Sequence, residues 1–103
     1  MIVPFDHSLT VPGAIERLHG FTFALGRQYG VDPHKTSQSW NGNVLTYEFT
    51  GPANNHFHGT VTVDVGRVTV VVESKVFHGW VGKGIQKVAR GRIESALKEA
   101  LGD

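Results

Sequence analysis

Apolar residues recur along this chain with two different periods. Between Val11 and Tyr29 they are spaced as on a helix, so that Val11, Ala14, Ile15, Leu18, Phe21, Thr22, Leu25 and Tyr29 share one face. Between Thr36 and Glu73 they alternate in and out, as on strands. From Gly79 to Leu101 the helical period returns, with Ile85, Val88, Ala89, Ile93, Ala96, Leu97 and Ala100 in one broad stripe. Ile2, Val3 and Phe5 add a short leading strand. Pro4, having no N–H to donate, assigns that strand to an edge or a bulge. The expected order is β-α-β-β-β-β-α.

Turn residues punctuate the pattern. Thr10 is a natural N-cap with Pro12 in the first turn behind it, and Gly30 is a left-handed helix stop. A two-residue loop at Asn41-Gly42 sets Trp40 opposite Asn43, Gln38 opposite Leu45 and Thr36 opposite Tyr47. Trp40, Leu45, Tyr47 and Phe49 then face one way and Val44, Thr46, Glu48 and Thr50 the other. Gly51 to Asn55 reads as a loop by composition. A loop at Val65-Gly66, or one from Asp64 to Arg67, brings Val63 opposite Val68 and Val61 opposite Val70. The prediction is a single α+β domain over residues 1–103. It holds an antiparallel, four- to five-stranded sheet with two helices on one face, and Leu45, Val61, Val63, Val68, Val70 and Ile93 buried together. Gly13, Gly20 and Gly26 weaken the first helix, by roughly 1 kcal/mol each relative to Ala.

Composition narrows the functional classes. Hydrophobic content of 40% and charged content of 18% belong to a folded globule. A net charge of +1 argues against a strongly basic nucleic-acid binder while leaving room for a local patch. The absence of cysteine excludes disulfides, thiolate metal ligands and cysteine nucleophiles. No apolar run reaches the ~18 residues of a spanning helix, and no basic segment precedes an apolar run at the start as in a signal peptide. A cytoplasmic location is the simplest expectation.

Few residues remain for chemistry. Lys83, Lys87 and Arg90 follow i, i+4, i+7 on the last helix, with Lys75 upstream, and form a candidate site for an anion or an acidic partner. An ordinary solvated helix face would carry the same residues. Gly79-Trp80-Val81-Gly82-Lys83-Gly84 could present N–H groups to phosphate, but it lacks the glycine-lysine-serine/threonine ending of a P-loop. His56 and His58 share one strand side without any recognised metal-ligand spacing, so no metal site and no cofactor is expected. There is no G-x-S-x-G elbow and no acid/base constellation, so the expectation is a non-enzymatic protein. Phe23, off the first helical stripe, joins Phe77 and Trp80 as a candidate apolar contact surface for a partner or for homo-oligomerisation.

Several of these landmarks recur in a family. Ile2-x-x-x-x-His7-x-Leu9, Tyr29-Gly30, Trp40-x-Gly42-x-x-Leu45-x-x-x-Phe49, Gly59-x-Val61-x-Val63, the alternating valines and Ile85 to Leu101 together resemble the polyhydroxyalkanoic acid system family of small bacterial proteins. The resemblance runs almost end to end. It implies an accessory protein of polyhydroxyalkanoate storage that binds a granule surface or a granule protein, and it supplies no catalytic residues. A second likeness is to the double-stranded RNA-binding domain. Gly51-Pro52 before Phe57 is similar to that family's Gly-Pro-x-His loop, and Lys83 and Lys87 fall near its basic helix start. The histidine is displaced to His56, the adjacent lysine pair is absent and the leading strand is extra.

Overall fold

The computed structural model describes residues 1–28, 30–51, 54–77 and 79–102, without the side chains of Pro33 and residues 79–83. Five strands form one antiparallel sheet: β1 (Ile2–Asp6), β2 (Thr36–Asn41), β3 (Val44–Thr50), β4 (His56–Asp64) and β5 (Arg67–Glu73), in the spatial order β1-β5-β4-β3-β2. Three helices, α1 (Val11–Arg17), α2 (Phe21–Gln28) and α3 (Gly79–Leu101), complete an α+β domain. The alternation explains the sheet directly. Leu45, Val61 and Val70 stand in one cross-strand row and Val63 faces Val68, all without measurable exposure. Ile93 of α3 is buried in the same cluster. The opposite face carries Ser37, Ser39, Thr46, Glu48, His58, Thr60, Thr62, Thr69 and Glu73, all exposed or half-exposed.

β1 is an edge strand, as Pro4 demands, and pairs with β5. His7, just beyond it, pins the chain. Its Nδ1 accepts from the Leu9 N–H at 3.1 Å, which leaves Nε2 to donate to the Asp64 carbonyl at 2.8 Å. The His7-x-Leu9 spacing is thus a structural clasp between β1 and the β4–β5 hairpin.

Two expectations need correction. The first helical stripe is two helices rather than one. The Leu18 N–H is shared between the carbonyls of Ala14 (3.0 Å) and Ile15 (3.1 Å), and Phe21 N–H bonds back to Leu18 at 3.0 Å, so the chain tightens and turns through Leu18–Gly20. Ala14, Leu18, Phe21, Thr22 and Leu25 nonetheless remain buried together. Thr10 caps α1 by accepting from the Gly13 N–H at 3.1 Å. Beyond α2, Gly30 has φ 71°, with the Val31 N–H reaching Gly26 and the Gly30 N–H reaching Arg27. Tyr29 lies outside the described residues.

The first hairpin turns one residue later than expected. Asn41 pairs with Val44, so the loop is Gly42-Asn43, and Trp40, Gln38 and Thr36 face Leu45, Tyr47 and Phe49. Gly42 has φ 60° while Asn43 is not left-handed, the sign pattern of a II′ turn. The physical cause is β4. The Asn43 carbonyl accepts from the Val63 N–H, and its side-chain amide donates to the Val63 carbonyl, both at 2.9 Å. The slip moves each partner by two residues, which preserves the predicted faces.

Candidate functional site

α3 has 23 residues and so runs about 34 Å, whereas the seven residues of β5 span about 24 Å. The overhang of α3 is marked by exposure: its described side chains before Ala89 are not buried. Among the described side chains of α3, burial begins at Ala89. Ile85 and Val88, expected within the buried stripe, are 40% and 60% exposed. Gln86 ties the overhanging turns down by donating to the Phe77 carbonyl at 2.8 Å.

Beneath the overhang lies a cleft of about 560 Å³, lined by Phe57, Phe77, Ile85, Val88 and Ala89, with Gln28 and Arg92 at its polar rim. Arg92 donates to the Gln28 carbonyl and so bridges α3 to the end of α2. The cleft floor is continuous with the core. Tyr47 and Phe49 stack with ring centres 6.3 Å apart, Phe49 and Phe57 stack at 5.1 Å, and Phe57 meets Phe77 edge-on at 5.9 Å. Aromatic rings in these arrangements add stabilisation beyond their burial. Phe77, expected as an exposed contact, is a buried core residue whose ring reaches the cleft, because the 3-10 turn Lys75–Phe77 folds it inward.

Gly59 determines where the aromatic row can sit. It faces Tyr47 in register, and the Tyr47 hydroxyl passes over it to donate to the Val71 carbonyl at 2.8 Å. A Cβ at position 59 would run into the Val71 carbonyl and the Tyr47 hydroxyl. Glycine is required there by close backbone approach.

The remaining candidate residues disperse. Phe23 is half-buried on α2, away from the cleft lining. The side chains of Trp80 and Lys83, and Pro52 of the expected RNA-contacting loop, lie outside the described residues. Lys87 is exposed on α3. Arg90 is drawn to the sheet edge, where it donates to the Ile2 carbonyl at 3.1 Å. Lys75 lines a separate groove with His56, His58 and Glu73. In that region His58 stands in register between Glu48 and Glu73, and His56 lies 3.6 Å from Glu48. Among the described residues no three His, Asp or Glu side chains converge as a metal site. No helix is long and apolar enough to cross a membrane, among the described residues.

The residues missed from sequence were Ile85 and Val88. Length gave no signal for them, since the stripe from Ile85 to Ala100 covers about 24 Å, the same as the seven residues of β5. Compared with family models, curated proteins and solved structures, the chain matches none of them.

Proposed function

We propose that the chain is a small, non-enzymatic accessory protein of polyhydroxyalkanoate storage, attaching to the polyester granule through the cleft under the overhang of α3. One observation carries this reading. Two branched aliphatic side chains, Ile85 and Val88, stand exposed over a floor made of Phe57 and Phe77. An apolar surface pressed against them would remove the exposed part of both from water, contributing roughly 1.5–3 kcal/mol together, the size of a weak, reversible attachment. The granule as the apolar surface rests on the resemblance of the chain's landmarks to the storage family.

Co-sedimentation tests it. Wild-type protein is expected to pellet with protein-free polyester particles. The Ile85→Ser/Val88→Ser variant, with an unchanged circular dichroism spectrum, is expected to stay in the supernatant. Wild-type protein that fails to pellet with bare particles and with native granules removes the granule reading. A double variant that pellets equally well removes the cleft as the attachment site.

A further inference from the structure

The two edges of the sheet are built differently. In β1 the Met1 N–H and carbonyl both bond Val72 at 2.9 Å, so by alternation Ile2, Pro4 and Asp6 turn their backbone groups to the free edge. That edge is partly blocked. Pro4 has no N–H, and the Ile2 carbonyl is taken by Arg90.

The same alternation can be followed to β2. Val63 bonds Asn43 and Gly51 bonds Asn55, so the odd-numbered residues of this segment up to Gly51 turn their backbone groups toward β4. Val44, Thr46 and Glu48 therefore turn theirs toward Asn41, Ser39 and Ser37. Thr36, Gln38 and Trp40 are left with N–H and C=O directed at the open edge. Among the described residues, no backbone bond from another element reaches them. The segment contains neither proline nor a charged residue. Its inward-facing side chains, Thr36, Gln38 and Trp40, all remain half-exposed, whereas those of β3 and β5 are buried.

We infer that two copies of this chain pair antiparallel through β2, about a two-fold axis at Gln38, to form one continuous sheet. Two parities select this register. Inward residues must face inward residues, and Thr36, Gln38 and Trp40 must supply the bonds. With Gln38 opposite Gln38 of the second copy, Thr36 faces Trp40 in both directions and Ser37 faces Ser39, which gives about six backbone hydrogen bonds. Shifting the axis to Ser39 leaves about four. A second copy fits better than a foreign peptide because the segment is self-complementary in this register. It opposes no like charges, and the chain's net charge of +1 adds little long-range repulsion.

Sedimentation equilibrium over a concentration series tests the pairing. The mass is expected to rise from 11.2 kDa toward twice that value. Gln38→Pro removes the edge-directed N–H together with the side-chain bond from Gln38 to the His19 carbonyl, and should hold the mass at the monomer value with the circular dichroism spectrum unchanged. Ser37→Lys/Ser39→Lys, on exposed positions, should do the same by setting like charges opposite one another. Because the chain has no cysteine, the register can be read by cross-linking. Ser37→Cys mixed with Ser39→Cys should form a disulfide dimer on oxidation, and neither variant alone should do so efficiently. Wild-type protein that stays at 11.2 kDa up to millimolar concentration overturns the inference, leaving the edge to an extended peptide of another chain. Dimers that survive both edge variants, or cross-linking of one variant with itself, overturn the surface or the register.

Discussion

The two halves of α3 carry the same stripe and meet different fates. In the C-terminal half Ala89, Ile93, Ala96, Leu97 and Leu101 are buried in one cluster with the sheet valines. In the preceding turns Ile85 and Val88 continue the stripe at the helical spacing but stand over a cleft floored by Phe57 and Phe77. Chemistry does not distinguish them. An isoleucine is buried at 93 and exposed at 85. What differs is the support below, and the difference teaches that an amphipathic period reports the direction of a side chain, not whether anything covers it.

The boundary between the two regimes can be broken most severely at Gly59. Gly59→Ala forces a Cβ against the Val71 carbonyl and the Tyr47 hydroxyl. The expected loss is at least about 3 kcal/mol, because backbone rather than a flexible side chain must move. A urea midpoint equal to that of wild type would show that the aromatic row does not depend on this close approach.

Next in size is the paired substitution within α3. Ile93→Ala removes a side chain that is 1% exposed and should cost about 2–5 kcal/mol by burial loss and cavity formation. Ile85→Ala should cost less than about 1 kcal/mol. Equal shifts in the denaturation midpoint, at equal slope, would erase the contrast between the halves.

Gln86→Ala sharpens it. Losing the bond to the Phe77 carbonyl should cost about 0.5–1.5 kcal/mol. Amide exchange should quicken in the turns of α3 before Ala89 while protection persists around Ile93 and Leu97, since a locally supported end opens independently of the core. Uniform acceleration along the helix would mean that both halves open as one unit.

The smallest expected effect is the most informative for function. Ile85→Ser/Val88→Ser should cost no more than about 1 kcal/mol of unfolding free energy, since Ile85 is 40% and Val88 60% exposed already. Loss of granule attachment with stability intact separates a contact surface from a core defect.

Much of this architecture was legible in the chain. The β4–β5 hairpin was read in its true register because Gly66 marks the turn and the valines on either side alternate without a break. Thr10, Pro4 and Gly30 act where local chemistry requires them: a cap, an edge strand without a donor, and a left-handed stop. The β2–β3 hairpin was misread by one loop residue. Asn41-Gly42 is a good local turn, but Asn43 is claimed by Val63 from a strand twenty residues away. A local rule cannot weigh that bond.

The candidate site was less legible for the same reason. Sequence by itself determined the periods, and through them the sheet faces, the helix stripes and the single α+β core, because side-chain direction follows from backbone geometry within each element. Tertiary structure decided everything that depends on how elements end relative to one another. It decided that Ile85 and Val88 stand exposed over a cleft, and that Phe77 turns inward while Arg90 reaches back to Ile2. It also left the edge-directed backbone groups of β2 open, while Pro4 and Arg90 partly block those of β1. Coverage is a property of two surfaces brought together, and a one-dimensional pattern describes only one of them.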